Sequence, residues 1–506
     1  MTLRKRIVSA ILAAMMLTSA AAMSACSNNN AETGKEENAP GSQTVAPTDV
    51  EVDPEEELSD YELRQRIPDN VPEMKFDGAE LRVATTDGDQ YEEEIVAEEL
   101  NGDACNDAVY NRNVKVEDRF DIKITCTRDG SPYSIPAKIA KAGTDDYHLI
   151  GCYDYMSYSP INSQAILNWL TIPYVDLSQP WHNKLANDDA TVNGILYTIC
   201  SDLATTSMTY THCIFANLDL STNYGYAASD LYGLVNEGKW TIDQVSTMVE
   251  GMYVDLNGNG KSDIAGDQYG FGYQITNPAD VWFNAFGGHY TGRDEEGNVI
   301  VTFMDDKTIS ELEKLLDFHY NNQGFGKLTT QYDEQKWFLN GQLVFAPMRF
   351  YAAFATLRDM ESPYTMLPYP KWDEEQQNYY TNADDKFTVF CIATSLYSQI
   401  DFIGPVYEVL CAESYKSVYP AYYDTALKGK YSTDQETADM VELIMAGRMF
   451  DFSFQFGETV FQRIPYMIRD CLVDNNPNLA SKFKGIQKAM GKQMEKIFNK
   501  VYELDG

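Results

Sequence analysis

Signals for strands and helices alternate along this chain, and the alternation constrains its fold more than any other sequence feature. Strand-like runs at 79–84, 122–125 and 147–150 are separated by segments with helical periodicity or turn residues. The same alternation returns over 214–360 and again from residue 387 onward. Strands that alternate with helices form largely parallel sheets with helices on their faces. The chain, at 506 residues, is therefore predicted to be an α/β protein of two or three domains.

The first 26 residues have the pattern of a bacterial lipoprotein signal. Basic residues stand at positions 4–6, an apolar run follows over 7–17, and Met23-Ser24-Ala25 precedes Cys26. Small residues before a cysteine suit cleavage and transfer of a diacylglycerol to its thiol, and two acyl chains anchor stably. We expect a signal peptide over 1–25 and a lipid on Cys26, at the extracellular face of the cell membrane. The alternative is an ordinary cleaved signal with an incidental cysteine.

The segment after Cys26 has the composition of a tether. Residues 27–74 are rich in Asn, Glu, Asp, Pro, Ser and Thr and poor in apolar residues. A segment of this composition cannot bury enough apolar surface to fold. We therefore expect a disordered acidic tether over 26–78, which connects the lipid to the folded part.

The charge of the chain limits its partners. It has 76 Asp and Glu residues against 39 Lys and Arg residues, for a net charge of −37. Such a surface repels polyanions, which argues against nucleic acid and favours a neutral or cationic partner. One predicted helix, at 482–502, carries a lysine at every fourth position from 484 to 500. These lysines form either a solvated face or a basic surface for a partner.

A loop near the middle of the chain has the spacing of a calcium site. In Asp255-Leu-Asn257-Gly-Asn259-Gly260-Lys261-Ser-Asp263, oxygen side chains recur at every second residue and glycine stands at the sixth. This is the pattern of EF-hand-like loops that bind Ca²⁺. The twelfth position is glycine, so we expect Asp267 or a more distant residue to complete the shell. The alternative is a polar hairpin turn. The candidate ligands are Asp255, Asn257, Asn259, Lys261, Asp263 and Asp267.

The common catalytic motifs are missing from the sequence. It contains no GxSxG turn, no HExxH pair and no P-loop, and its five histidines lack metal-ligand spacing. We therefore expect no enzymatic activity.

Several segments place an aromatic ring next to a polar side chain. Sugars present apolar faces edged by hydroxyl groups, so an aromatic plane beside Asp, Asn or Arg is a natural site for them. Trp181 and Trp282 are the strongest candidates for stacking. The candidate ligand-binding residues are Tyr153, Asp154, Trp181, His182, Asp202, Trp282, Asn284, Arg349 and Tyr351.

Several motifs together resemble one protein family. The motifs are NDAVYNRN at 106–113, IPYVDLSQPW at 172–181, EGKWT at 237–241, LRDM at 357–360 and LPYPK at 367–371. With them, the chain resembles the extracellular solute-binding lipoproteins of family 1, the sugar-type binding proteins of bacterial ABC importers. The Asp255 loop matches the members of this family that hold Ca²⁺.

The resemblance implies a two-lobed periplasmic-binding-protein type II fold. Each lobe is expected to be a mixed sheet flanked by helices, and crossing hinge strands join the lobes. The implied segments are 79–205 and 365–415 for the first lobe, and 206–364 and 416–506 for the second. The solute binds between the lobes, which close around it.

The resemblance also implies a function. We expect a monomer that captures a sugar or oligosaccharide and delivers it to the transmembrane permease subunits of an ABC importer. One alternative is a surface lipoprotein for solute sensing or adhesion. A less favoured alternative is a surface glycan hydrolase, which would need two carboxylic acids at a fixed separation in a cleft.

Overall fold

The computed structural model describes most of the chain after the predicted tether. The described residues are 59–88, 91, 94–263, 266–330, 333–423 and 435–502. The predicted signal peptide, Cys26 and most of the predicted tether lie outside the described residues.

The strands are short and are spread over the whole described part of the chain. They are β1 Ala79–Thr86, β2 Ile122–Asp129, β3 Leu149–Tyr153, β4 His212–Asn217, β5 Tyr269–Gln274, β6 Thr291–Arg293, β7 Val299–Val301, β8 Phe325–Leu328, β9 Leu343–Arg349, β10 Tyr364–Leu367, β11 Thr381–Asn382, β12 Thr388–Cys391 and β13 Arg448–Met449.

Helices occupy most of the connections between these strands. They are α1 Asp60–Gln65, α2 Ala104–Phe120, α3 Ile135–Ala142, α4 Tyr158–Asn162, α5 Lys184–Ala190, α6 Thr206–Thr209, α7 Leu218–Asn223, α8 Ala228–Asn236, α9 Ile242–Glu250, α10 Asn277–Ala285, α11 Asp306–Tyr320, α12 Asp333–Leu339, α13 Tyr351–Phe354, α14 Ile400–Glu413, α15 Gln435–Ala446, α16 Met467–Val473 and α17 Leu479–Tyr502. None of these described helices has the length and hydrophobicity needed to cross a bilayer.

A four-stranded sheet forms the first lobe, with the strand order β12-β3-β1-β2. Strand β1 pairs in parallel with β2 over its full length, from Ala79 opposite Ile122 to Thr86 opposite Asp129. It also pairs in parallel with β3, whereas β12 runs antiparallel to β3. The central strand has fully buried Leu81, as expected for a strand with helices on both faces.

A five-stranded sheet forms the second lobe, in the order β10-β4-β9-β5-β8. Strand β5 is parallel to β8 and β9, and β4 is antiparallel to both β9 and β10. The order β8-β5-β9-β4 therefore repeats the order β2-β1-β3-β12 of the first lobe. This arrangement confirms the predicted α/β fold with a mixed sheet in each lobe.

The chain passes between the two sheets three times. The first passage lies between β3 and β4, and the second lies between β10 and β12. The third leaves α14, which packs on α2 of the first lobe, and continues through a π-helix at Ser414–Val418. The chain then returns as α15, which packs on β10 of the second lobe. The lobe boundaries drawn from the sequence remain predictions.

One strand begins later than the sequence pattern indicates. Strand β3 starts at Leu149 rather than at residue 147. The backbone N–H of His148 donates to the Arg82 carbonyl at 2.8 Å. The Arg82 backbone N–H, however, donates to Nδ1 of the His148 ring at 3.1 Å. A side chain thus takes the hydrogen bond that a strand carbonyl would accept, and regular pairing starts at Leu149, two residues later than predicted.

The entry to α9 shows how the second lobe is anchored. The Trp240 ring is fully buried, and its Nε1 donates to the Pro368 carbonyl at 2.8 Å. Thr241 is the N-cap, since its side chain accepts from the Gln244 backbone N–H at 3.3 Å. A side-chain oxygen at this position satisfies a backbone donor that the first helical turn leaves unpaired.

Candidate functional site

Both antiparallel strands begin where a parallel strand of the same sheet ends. In the first lobe Thr388, which starts β12, lies opposite Tyr153, which ends β3. In the second lobe His212, which starts β4, lies opposite Arg349, which ends β9. The crossing segments therefore enter both sheets at their carboxyl edges. Ligands of open α/β sheets bind outside this edge, so the hinge and the candidate site coincide.

A row of tyrosine rings connects these two edges, and we call it the tyrosine row. Tyr155 stacks on Tyr153 with ring centroids 5.6 Å apart and planes 15° apart. Tyr91 follows at 5.5 Å from Tyr153, then Tyr210 at 5.8 Å, and Tyr351 at 6.2 Å from Tyr210. The inner rings, Tyr91 and Tyr210, are buried, whereas the outer rings of the row are only partly buried. The row thus offers ring faces on both lobes.

A buried carboxylate lies beside the row. Oδ2 of Asp384, a residue that is 3% exposed, accepts from Asn277 Nδ2 at 2.7 Å and from Arg349 Nη2 at 3.0 Å. His212 Nε2 lies 3.3 Å from the same oxygen. Burial alone would raise the pKa of Asp384, but the Arg349 charge and the His212 hydrogen bond lower it well below its usual range. The Arg349 guanidinium also lies over the Tyr210 ring, 4.4 Å from its centroid.

The polar contacts continue from Asp384 into the helices of the second lobe. Asn277, at the start of α10, accepts from Arg469 Nη1 at 3.3 Å through Oδ1. Arg469 also pairs with Asp280 at 2.9 Å. The Tyr466 hydroxyl donates to Asp385 Oδ2 at 2.7 Å. These bonds connect the second crossing segment to α10 and to the residues around α16.

A small pocket opens at the carboxyl edge of the second sheet. Polar side chains and two apolar ones line it: His212, Thr276, Asn277, Pro278, Glu334, Gln335, Met348 and Arg349. His212 Nδ1 is buried without a hydrogen-bond partner, and burial lowers the pKa of this imidazole. Burial raises the pKa of Glu334 to about 7. The pocket therefore holds an imidazole nitrogen without a partner and a carboxyl group with a raised pKa, and a polar ligand can bond to both.

A second cavity, lined by acids, includes Asp154, the residue between Tyr153 and Tyr155 in the chain. Asp154, Asp189, Asp385 and Asp451 all line it. Burial raises the pKa of Asp154 and Asp385 to about 7 and that of Asp189 to about 8. Asp154 Oδ1 accepts from Gln455 Nε2 at 2.7 Å. Carboxyl groups with such pKa values can donate as well as accept hydrogen bonds near neutral pH.

The structure assigns the first predicted stacking residue to the core. Trp181 is 0% exposed, and its Nε1 donates to Glu408 Oε1 at 2.9 Å. His182 Nε2 lies 2.8 Å from Glu408 Oε2, so one buried carboxylate of α14 holds both rings. Both side chains are buried, so neither ring has a face free for a ligand. The two rings stabilise the first lobe instead. The expectation that Trp181 faces the cleft is therefore corrected.

The second predicted stacking residue is also in the core. Trp282 is 0% exposed, and its Nε1 donates to the Tyr273 hydroxyl at 2.7 Å. Asn284 is buried beside it on α10 and donates to the Gly288 carbonyl at 2.9 Å. Asp202 lies next to Trp181 in the first lobe, since its backbone N–H donates to the Trp181 carbonyl at 2.8 Å. The structure does not bring these residues to the tyrosine row.

The remaining predicted ligand residues do come together. Tyr153, Arg349 and Tyr351 belong to the row or touch it, and Asp154 lines the adjoining cavity. Sequence reasoning missed the residues between them. Those are Tyr91, Tyr210, His212, Asp384 and Asp385. The adjacent pair Asp384-Asp385 was a usable signal, but it was hidden among 76 acidic residues.

The predicted calcium loop is closed by hydrogen bonds among its own residues. Asp255 Oδ2 accepts from the Gly260 backbone N–H at 2.8 Å, and Gly260 has a φ of 69°. Asp263 Oδ2 accepts from Asn257 Nδ2 at 3.0 Å and from Asn259 Nδ2 at 2.7 Å. Among the described residues, no group of three or more His, Cys, Asp or Glu side chains is arranged to hold a metal ion. Amide and carbonyl oxygens would have to complete a Ca²⁺ shell here.

Two features on the inner side of this loop fit a cation. Asp267 is 0% exposed, and its Oδ2 accepts from the Tyr253 hydroxyl at 2.9 Å and the Asp263 N–H at 2.8 Å. Its Oδ1 is buried without a hydrogen-bond partner. A Cβ at Gly266, the twelfth position, would lie 1.9 Å from Asn257 Nδ2. A Glu at this position would not fit, and Asp267 is the acid nearest to it in the chain.

Comparison with known proteins shows the fold. No protein-family model matches the chain, and no curated protein matches it. The GacH receptor of Streptomyces glaucescens GLA.O is similar in structure, with a TM-score of 0.52 at 13% identity over 83% of this chain and 99% of that one. The two-lobed fold that the sequence resemblance implied is confirmed by this similarity.

Two further solved structures match over similar lengths. ABC substrate-binding protein Lmo0181 from Listeria monocytogenes has a TM-score of 0.49 at 12% identity, over 84% of this chain and 99% of that one. T. maritima MalE3 has a TM-score of 0.48 at 13% identity, over 83% and 99% of the two chains.

Replacement of Asp154 by Asn is expected to make the stability of the protein less dependent on pH. The folded pKa of about 7 is above the unfolded value, so the stability from neutral Asp154 is present below pH about 4 and is lost as the pH rises through 7. As the pH rises from about 5 to about 8, ionisation of this group lowers the free energy of unfolding by roughly 2–3 kcal/mol. Urea unfolding at both pH values measures the difference. Exposed Asp118→Asn is the matched control, and an equal change in both variants would contradict the assignment.

Proposed function

We propose that this protein is a lipid-anchored extracellular substrate-binding protein of an ABC importer. It captures a sugar or oligosaccharide between its two lobes and delivers it, chemically unchanged, to the permease. The observation that carries the proposal is the tyrosine row, whose partly buried outer rings lie beside buried hydrogen-bonding groups where the two sheets meet.

The chemistry of this region suits a sugar. The outer faces of Tyr155 and Tyr351, the two ends of the row, can cover the apolar face of a sugar ring, which is the usual role of aromatic rings in such sites. Neutral His212 Nδ1 and the carboxyl of Glu334 can pair with hydroxyl groups. Desolvated polar groups without partners favour a ligand that satisfies them over one that does not.

The position of the site at the hinge supports capture by closure. The crossing segment at Asp384 and Asp385 bonds to both sides of the cleft, through Arg349 of β9 and through Tyr155, whose N–H donates to the Asp385 carbonyl at 3.1 Å. A ligand that contacts both lobes binds their closed arrangement better and shifts the population toward it. The GacH receptor, which shares the fold, is described in complex with acarbose, and this supports an oligosaccharide ligand.

Removal of an outer ring of the row is expected to weaken sugar binding. Tyr155→Ala and Tyr351→Ala should each reduce affinity by about 1 kcal/mol, roughly fivefold, because aromatic contacts contribute about this much beyond area burial. Tyr155→Phe and Tyr351→Phe keep the ring and should bind more nearly like the unchanged protein. A thermal-shift screen with maltooligosaccharides and acarbose identifies the ligand, and calorimetry measures its affinity.

The control for this experiment is Trp181→Phe. It alters the core contact with Glu408 and should lower stability without changing affinity. Unchanged affinity in both alanine variants would contradict the proposed site. Release of a shortened product from the sugar would contradict the binding-only function.

We also propose a structural Ca²⁺ in the loop, held by Asp255, Asn257, Asn259, the Lys261 carbonyl and Asp263. Asp267, whose Oδ1 is buried without a partner, supports the proposal as the acid that replaces the twelfth-position Glu. Such an ion would stabilise the turn between α9 and β5 and would take no part in ligand chemistry.

Chelation is expected to lower the melting temperature. A ligand that binds only the folded state stabilises it by about 2.7 kcal/mol at a hundredfold excess over its dissociation constant. The melting temperature should fall with EGTA and recover with Ca²⁺, and Asp255→Ala and Asp267→Asn should remove this response. Asp294→Ala, in an exposed turn that also accepts backbone N–H groups, should retain it. An EGTA-insensitive melting temperature in the unchanged protein would contradict the proposal.

The lipid anchor rests on the sequence pattern before Cys26. Cys26→Ser should release the exported protein from the membrane fraction, because the serine hydroxyl cannot form the thioether to diacylglycerol. Cell fractionation and metabolic labelling with a fatty acid measure the effect, with Cys105→Ser as the control. Labelled Cys26→Ser protein would contradict lipidation at this position.

A further inference from the structure

The last helix, α17, has an apolar face that is buried in the protein. Phe483, Met490, Ile497 and Val501 on this face are all buried. The N-terminal part of the face packs near the second lobe, where Phe483 meets Phe303 with ring centroids 5.6 Å apart. The opposite face of the helix is therefore held rigidly toward solvent.

Lysines cover this solvent face, which we call the lysine stripe. Its members are Lys484, Lys488, Lys492, Lys496 and Lys500, and all of them are exposed. They extend over about 24 Å, since a helix rises about 1.5 Å per residue. The helix holds six lysines and one glutamate, so its net charge is 6 − 1 = +5, whereas the chain carries −37.

Most of the stripe has no acidic partner. In the described part of the chain, no ion pair involves Lys484, Lys488, Lys492 or Lys496, whereas Lys482, outside the stripe, pairs with Asp474 at 3.0 Å. The chain has about two acids for each base, whereas this helix has one glutamate, Glu495, among its six lysines, so its composition is unlike that of the rest of the chain. Repulsion between like charges at i and i+4 slightly destabilises a helix.

The composition of the stripe distinguishes between classes of partner. Protein interfaces need a central apolar or aromatic cluster and are depleted in lysine. Between the stripe lysines lie small residues such as Gly485, Ala489 and Gly491, which offer no such cluster. Flexible ammonium groups act as point charges and need no fixed geometry from their partner. A fluid layer of phosphate groups matches this chemistry better than the surface of a folded protein.

We propose that the lysine stripe binds the phosphate headgroups of an anionic membrane and so orients the folded part on the membrane surface. The proposal goes beyond ligand capture and does not depend on the identity of the ligand or on the lipid anchor. The net charge of the chain opposes approach to such a membrane. However, charges beyond about 8 Å are largely screened at physiological salt, so the face in contact dominates.

Vesicle co-sedimentation tests the proposal. The chain from residue 27 onward retains every residue that the structure describes and lacks the predicted signal and Cys26. It should bind vesicles of phosphatidylglycerol and phosphatidylcholine at about 0.05 M salt and dissociate at about 0.5 M. The combined substitutions Lys484→Gln, Lys488→Gln, Lys492→Gln and Lys496→Gln should reduce partitioning by at least about hundredfold, since each lysine contributes about fivefold.

A second variant with the same loss of charge is the control. It carries glutamine in place of four exposed lysines elsewhere on the surface: Lys138, Lys141, Lys184 and Lys239. This control should partition like the unchanged protein, and neither variant should change in melting temperature by more than a few degrees. Equal losses in both variants, no binding to phosphatidylglycerol vesicles, or equal binding to pure phosphatidylcholine vesicles would overturn the proposal. Stripe-dependent binding only to membranes that contain the permease would also overturn it, in favour of a protein partner.

Discussion

The buried carboxylate of Asp384 is the interaction on which the arrangement of the cleft depends. An ionised carboxylate that is removed from water costs several kcal/mol unless charged or polar donors surround it. Arg349, His212 and Asn277 supply those donors at one oxygen. They come from the ends of β9, β4 and α10, so all three elements are held at the second crossing segment. The same segment places Asp385 against Tyr466 and Tyr155.

The topology explains why a hinge and a binding site occupy the same place. Both sheets have one antiparallel strand, and in both the strand begins at the carboxyl edge of its neighbour. The segments that join the lobes must therefore run through the region where ligands of α/β sheets bind. Buried carboxyl groups with raised pKa values gather there, at Asp154, Asp189 and Asp385. Groups that reduce stability near neutral pH are typical of functional sites, since a ligand can satisfy them.

The error in the site prediction has a physical cause. The sequence favours Trp181 and Trp282 as stacking residues because an aromatic ring next to a polar residue suits a sugar, but the same combination also suits a core position. A buried indole N–H needs an acceptor, and here Glu408 and the Tyr273 hydroxyl provide it. The sequence does not indicate whether a ring will meet an internal acceptor or a ligand. The tyrosine row joins residues as distant in the chain as Tyr91 and Tyr351, so no local pattern could reveal it.

Local patterns alone determined the α/β class, the cap at Thr241, the turn chemistry of the Asp255 loop and the regular spacing of the lysine stripe. Each of these depends on residues within a few positions of one another, where backbone geometry and side-chain spacing suffice. The tertiary structure decided the rest. The common strand order of the two sheets, the convergence on Asp384 and the burial of Trp181 depend on contacts between residues far apart in the chain. Such contacts are set by how the lobes pack, and a chain read residue by residue does not contain that information.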